Sequence, residues 1–326
     1  MKLAHIAIAT PGRCGLYETT RDLVKAERDL GIDARIVDPR PGPLHPGDDD
    51  RGVPLSEMDW ATTADVVFSH SGHDGTPIDD TDQPIVVVAH GRPLSTFLGE
   101  QAGGAPAYSY YVTRSRQERY RACVTFWPEY EPYLRSLWGG KPVHVVTPPC
   151  DTDYWCPGPS NYDFAGKRGG YNVVLTDPWA RRDVSPLHAV HAFHLFRAIC
   201  PDAKLHIYAL HTRNGIGALA RMLGKGLGVA QGWAADLRSV YRAADMLITP
   251  HRIATRSVRE AMSCGLQVVS GADCHPEDDL EVFAMKMARV RERPRARQRE
   301  RAIADFNPKD AARAMHAIAK QYAGVP

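Results

Sequence analysis

No Cys-x-x-Cys pair occurs among the seven cysteines of this 326-residue chain, which are scattered and odd in number. Thioredoxin-type redox chemistry and the common zinc frames are thereby excluded, and the cysteines read as free thiols. No apolar run approaches the ~18 residues of a membrane span. The opening MKLAHIAIAT stops at Pro11-Gly12, too soon for the apolar region of a signal sequence, and reads as a first strand. A reducing, cytoplasmic location is expected. An excess of one charge is also missing: 40 Lys+Arg against 38 Asp+Glu leave +2, so the whole-molecule charge points to no polyanionic partner. Tandem repeats and low-complexity tracts are absent, apart from alternating arginines at Arg289–Arg301.

Hydrophobic residues make up 44% and charged residues 24%, an ordinary globular balance, and the length suits two domains of about 150 residues. Leu3–Ala9 is a compact apolar segment with almost no alternation, as in a parallel strand buried on both faces. Leu16, Thr20, Leu23, Val24, Glu27 (through its stem) and Leu30 follow helical spacing up to a capping Gly31, and Ala34–Val37 gives the next strand. This start is a βαβ unit. Pro39–Gly52 reads as an exposed loop without an element of its own. Asp65–Ser69 and Pro84–Ala89 are strands ending at His70 and His90, on the sheet edge where open α/β folds bind ligands. Pro132–Trp138 reads as a short helix and Val143–Val146 as a strand.

The proline-rich stretch Thr147–Ser160 reads as a linker, dividing the chain into residues 1–155 and 156–326. Strands then recur at Asn172–Leu175, Lys204–Ala209, Met246–Thr249 and Gln267–Ser270, between helices at Leu187–Ile199, Ile216–Leu223, Ala234–Ala243 and Arg256–Ser263. Two successive βαβ arrays result. The terminal helix Ala311–Tyr322 is a candidate to cross back to the first domain.

From the linker onward the sequence resembles the retaining GT-B glycosyltransferases of family four. TPPCDTDYWCPG looks like that family's linker, NVVLTDPWARRDVSPLHAVHAF like its first donor-domain strand, loop and helix, and LRSVYRAADMLITPHR like its helix-Ala-Asp-strand-Pro segment. The most specific match is VREAMSCGLQVVSG, similar to the family's Glu-Ala-Met-x-x-Gly-x-x-Val-Val stretch. The first half resembles the family more weakly, through the loop Gly12–Gly15 and the strand ending at His90. The resemblance implies an α/β chain of two Rossmann-like domains facing each other across a cleft, the first binding an acceptor and the second a UDP- or GDP-sugar, with no metal or other cofactor. It further implies transfer with retention, without an obvious covalent nucleophile. By the same match Arg181 and Arg182 meet the donor diphosphate, and Glu260 is the second glutamate of a paired motif. The first glutamate is replaced here by Arg252, and the customary glycine by Thr255.

The chemistry of such a reaction asks for the same residue types. A nucleotide-sugar diphosphate gains charge as it leaves, so cations and backbone donors must be aimed at it. Arg181 and Arg182 follow a strand, and Thr255 and Ser257 open a helix whose N-terminus favours an anion. Glu260, one turn on, can accept hydrogen bonds from two ribose hydroxyls. Arg252 can meet a phosphate or an acidic sugar. His90 is the candidate contact to the donor sugar or acceptor hydroxyl, since an imidazole can hydrogen-bond or shuttle a proton near neutral pH. His70, Gly12 and Gly15 are candidates for the acceptor or for a phosphate, with a plain turn as the competing reading for the glycines. A metal held by His70, His73 and His90 lacks supporting carboxylates or cysteines, and none is expected.

The acceptor is open: a small molecule, a glycan, or the hydroxymethylated bases that phage-type DNA glycosyltransferases modify. Alternating arginines at Arg289–Arg301 and the aromatics Tyr108, Tyr110, Tyr111, Phe126, Trp127, Tyr130 and Tyr133 would suit DNA, although ordinary helix surface and packing explain both. An epimerase or hydrolase acting on the nucleotide sugar, and a non-catalytic binder of it, are the other classes to separate.

Overall fold

The compact apolar segments form parallel sheets, because a strand covered on both faces favours apolar residues over a polar alternation. The computed structural model describes residues 1–8, 15–39, 47–70, 82–91, 107–176, 187–208, 221, 223–232, 234–271 and 280–324. Contacts divide the chain into two units, Met1–Pro149 with Phe306–Pro326, and Cys150–Asp305.

The first unit opens with β1 (Lys2–Ile6), α1 (Gly15–Asp29) and β2 (Asp33–Val37), the βαβ start read from the sequence. Then come β3 (Gly47–Asp48), β4 (Pro54–Ser56), α2 (Met58–Ala61), β5 (Val66–Ser69), β6 (Ile85–Ala89), α3 (Ala107–Ser115), β7 (Tyr120–Thr125), a 3-10 turn at Pro128–Tyr130, α4 (Glu131–Leu137) and β8 (Val143–Val145). The sheet order is β3-β4-β2-β1-β5-β6-β7-β8, parallel except for the β3–β4 edge pair. Strand β1 has β2 on one side and β5 on the other, so the order reverses beside β1. Such a reversal opens a crevice at the strand C-termini.

Three expectations need correction. Pro39–Gly52 is not free of elements, since Gly47–Asp48 pairs antiparallel with Pro54–Ser56. Helix α1 is buried almost all round, from Tyr17 to Val24, whereas Leu30 is exposed because the chain leaves the helix and turns at Gly31 with φ 78°. Glu27 is buried to its carboxylate and not merely along its stem. Strand β7 escapes the sequence pattern because YRACVT sets a charged residue inside it.

The second unit contains β9 (Tyr171–Leu175), α5 (Leu187–Phe196), β10 (Ala203–Tyr208), β11 (Val229–Gly232), α6 (Leu237–Ala243), β12 (Met246–Thr249), α7 (Arg256–Ser263), β13 (Gln267–Ser270), α8 (Leu280–Arg291) and α9 (Ala296–Asp305). Its five described strands are all parallel, in the order β11-β10-β9-β12-β13. Phe193, Phe196, Phe283 and Met287 pack the core between α5 and α8. Helix α6 begins later than its pattern suggests because Asp236 caps it, accepting from the N–H groups of Arg238 and Ser239. Most of the expected helix Ile216–Leu223 lies outside the described residues. The chain then re-enters the first unit as α10 (Pro308–Tyr322), capped by Asn307, and packs on α1.

Two local features carry predictions. Gly271, just beyond β13, has no room for a side chain: a Cβ there would lie 2.1 Å from the carbonyl oxygen of Pro250. Backbone cannot yield as a flexible side chain can, so Gly271→Ala must push the Pro250–His251 turn away from β13. A loss of about 2 kcal/mol or more in urea unfolding is expected; an unchanged midpoint would contradict the contact.

His206 is fully buried, stacked on Phe164 at 4.1 Å between ring centroids. Gln231 Nε2 donates to its Nδ1 at 2.8 Å, so Nε2 carries the proton, 3.1 Å from the Asn172 amide oxygen. Burial, with a smaller push from Lys204, lowers its pKa from 6.5 to about 4. The unfolded chain therefore takes up the proton first, and stability present above pH 6.5 is lost as pH falls towards 4. About 3 kcal/mol is at stake. The stability advantage of wild type over His206→Leu should shrink through that window; a constant difference would refute the assignment.

Candidate active site

At the C-terminal edge of the first sheet, three histidines from neighbouring strands meet. His5 lies within β1, in register with Phe68 of β5, and its ring stacks on Phe68. His70 follows β5 and its backbone N–H donates to the Ile6 carbonyl at 2.9 Å. His90 follows β6. The rings form a line: His5 Nδ1 to His70 Nε2 is 2.9 Å, and His70 Nδ1 to His90 Nε2 is 2.7 Å. At the inner end, Glu27 Oε2 of α1 lies 2.8 Å from His5 Nε2, with both side chains fully buried. Burial pushes the His70 pKa well below 6.5, helped by the neighbouring His90 and His5 rings. His90 is the partly exposed outer member, set edge-on to Phe126, with Trp127 Nε1 donating to its carbonyl.

The structure thus places His70 and His90, both at strand ends, side by side. It adds His5 and Glu27, which strand-end reasoning passes over because His5 sits inside an apolar run and Glu27 on a helix. Their signal was present: an acid on the inward face of α1 and an imidazole inside a buried strand each need a partner. Gly15 is the first residue of α1. Gly12 and His73 lie outside the described residues. Of the aromatics, Tyr111, Phe126, Trp127 and Tyr130 are buried packing residues, and Tyr133 is exposed.

In the second unit, the corresponding edge is formed by the ends of β9, β12 and β13. Thr255 precedes α7 with φ −52° and ψ 170°, and its buried hydroxyl oxygen has no hydrogen-bond partner among the described residues. Ser257 is half-buried in the first turn, and Arg252 is exposed on the turn before it. Glu260 is almost fully buried, and Arg256 Nε donates to its Oε1 at 2.5 Å. Arg256 in turn lies over the Trp155 ring, 5.9 Å from its centroid. The burial of Tyr241 raises its phenol well above the ordinary range, with the Glu260 charge adding to the effect. The Arg256 partnership is the feature that motif reading missed. Its sequence signal is the i, i+4 spacing of Arg256 and Glu260. His251, buried after β12, also went unremarked despite its strand-end position. Arg181 and Arg182 lie outside the described residues.

The arginine run is largely committed within its own unit. Arg299 Nη1 donates to the carbonyls of Thr152, Trp155 and Ser263 at 2.5, 2.9 and 3.0 Å. Arg295 Nη2 donates to Ala244 O at 2.5 Å, and Arg291 covers the Tyr171 ring. Arg289, Arg293 and Arg297 remain exposed. Among the described residues no group of three or more His, Cys, Asp or Glu is placed to hold a metal, and no helix is long and apolar enough to cross a membrane.

No protein-family model matches the sequence. No curated protein matches it either. Solved structures do match over nearly the whole length. HepE of Anabaena, crystallised with UDP and glucose, superposes with a TM-score of 0.72 at 15% identity, covering 98% of this chain and 100% of HepE. The chain has the GT-B fold. Sucrose-phosphate synthase of Thermosynechococcus elongatus gives 0.68 at 16% identity over 98% of each chain. An alpha-glucosyltransferase in complex with UDP and a 13-mer DNA containing an HMU base gives 0.64 at 11% identity, covering 98% of this chain and 99% of that one. In a GT-B fold the two sheet edges just described are the places where each unit presents its strand ends.

Proposed function

We propose that the chain is a retaining glycosyltransferase that moves a sugar from a UDP- or GDP-sugar to an acceptor hydroxyl. The second unit would hold the donor and the first the acceptor. The observation that carries this reading is the full-length GT-B match to HepE, whose structure contains UDP and glucose. The family likeness of the segment around Glu260 supports it independently.

The chemistry follows from the residues. Glu260 would accept from ribose hydroxyls, a carboxylate offering about four lone-pair directions beside its bond from Arg256. The N-terminus of α7, with Thr255 and Ser257, would supply N–H and O–H donors to the diphosphate, and Arg181, Arg182 and Arg252 its counter-charges. His90 would contact the donor sugar or the acceptor hydroxyl, with Gly12, Gly15 and His70 beside it. No metal is needed if these fixed cations take the charge of the leaving diphosphate.

The test is a thermal-shift screen against UDP, GDP, ADP, TDP and CMP sugars, followed by product analysis with the donor that binds. A rise with one nucleotide, then an α-anomeric product from an α-linked donor, is expected. No rise with any of them and no turnover would sink the reading. Donor consumption without an acceptor would instead indicate an epimerase or hydrolase, and binding without turnover a non-catalytic binder.

A second acceptor reading, hydroxymethylated DNA, is favoured by one observation, the GT-B neighbour that holds UDP together with HMU-containing DNA. The exposed Arg289, Arg293 and Arg297 would supply phosphate contacts. Binding to duplex DNA that weakens steeply between 50 and 200 mM salt would support it; absence of binding at low salt would remove it.

A further inference from the structure

The line of groups from Glu27 to His90 has a direction. A buried carboxylate is costly without a counter-group; His5 Nε2 lies 2.8 Å from Glu27 Oε2, an ion-pair distance, although neither that nitrogen nor either carboxylate oxygen makes an aligned hydrogen bond among the described residues. With Glu27 ionised, His5 must carry its proton on Nε2. Its Nδ1 then bears the lone pair and accepts from His70 Nε2–H, 2.9 Å away. His70 Nδ1 in turn accepts from His90 Nε2–H at 2.7 Å. A neutral imidazole has one donor and one acceptor nitrogen, so fixing the first ring fixes all three.

We propose that Glu27, His5 and His70 are positioning residues that set the tautomer of His90, holding its proton on Nε2 and its lone pair on Nδ1. The proposal rests on the reading of His90 as the residue that contacts the sugar or the acceptor hydroxyl. In that role a lone pair on Nδ1 accepts a hydrogen bond from a substrate hydroxyl, whereas the opposite tautomer could only donate one.

The same line can take up one proton. If Nδ1 of His90 is protonated, its Nε2 proton passes to His70 Nδ1, the His70 Nε2 proton to His5 Nδ1, and the His5 Nε2 proton to Glu27. Each ring is neutral again, with its proton now on Nδ1, and the buried carboxylate has become a neutral acid. The depressed pKa of His70 fits this scheme, since the middle ring passes a proton on without keeping it. Half-buried His316 on α10 also feels the Glu27 charge, and its pKa is lowered by burial and by Lys320 despite that carboxylate.

The test uses 15N-histidine NMR on the full chain at neutral pH, with resonances assigned through single His→Phe variants. Wild type should show Nε2–H tautomers for all three rings, and couplings across the hydrogen bonds from His5 to His70 and from His70 to His90. Absence of either coupling, or His90 protonated on Nδ1, would overturn the proposal. Removing Glu27 alone risks the fold, so the informative variant replaces both inner partners by apolar groups, Glu27→Leu with His5→Phe, which keeps a ring against Phe68. Its His90 should become a mixture of tautomers, and kcat should fall by about tenfold or more with the donor KM unchanged. His90 remaining wholly Nε2–H in that variant would refute the relay. The NMR outcome requires no substrate, so an inactive chain with the couplings present would defeat the glycosyltransferase reading and leave the relay standing.

Discussion

Replacing Glu260 by alanine is expected to abolish the rise in melting temperature that a nucleotide sugar gives the wild-type chain. Wild type at a hundred times Kd should gain about 2.7 kcal/mol from the ligand, and the variant none. The unliganded variant should also melt earlier. Glu260 and Arg256 form a buried pair at 2.5 Å, and deleting one partner of such a pair costs about 3–5 kcal/mol. The two effects separate in Arg256→Met, which removes the cation and spares the carboxylate. That variant should keep the nucleotide-dependent rise. A Glu260→Ala protein that still responds to the nucleotide would show that the donor is held elsewhere.

His90→Ala should lower the rate of glycosyl transfer by about 10²–10⁴-fold, the range that a positioned acid–base or hydrogen-bonding side chain commands. The donor-induced rise in melting temperature should change far less, because the nucleotide would be held by the other unit. Steady-state kinetics with the donor found in the thermal screen decide the matter. A variant with wild-type kcat would remove His90 from the reaction and leave it as an outer cap on a buried line of histidines. His90 is the outermost ring, so its loss leaves the Glu27–His5–His70 contacts in place, and folding should survive.

What the sequence made legible follows from what each signal measures. The runs IVVVA and MLIT are β-branched and apolar throughout, and a strand covered by helices on both faces has no other way to look. Strands β7 and β11 have polar residues inside YRACVT and VAQG, so the same rule passes over them. The strand-end position of His90 was legible because a polar residue closes an apolar run there, on the edge where open α/β sheets bind ligands. The partnership of His5 was not, because Glu27 belongs to another element and is brought beside it only by folding. Periodicity placed Glu27 on the inward face of α1 and gave no reason for a carboxylate to be there. Likewise the resemblance around Glu260 singled the residue out, while its bond from Arg256 is a rotamer outcome that composition does not encode. The arginine run illustrates the converse: alternation suggested a solvent-facing surface, and Arg299 instead gathers three carbonyls.

The first unit is written in two pieces, with residues from Phe306 onward completing what Met1–Pro149 begins. On the ribosome this imposes an order. Helix α1 emerges early, but α10, which packs on it, is made only after the whole of Cys150–Asp305. At about 5–20 residues per second that is a delay on the order of ten seconds. The contiguous second unit can close its own core during that interval, while the nascent first unit keeps part of α1 uncovered. Nascent-chain truncations ending before Phe306 should therefore engage chaperones through the first unit, and be released from them only once α10 has cleared the exit tunnel.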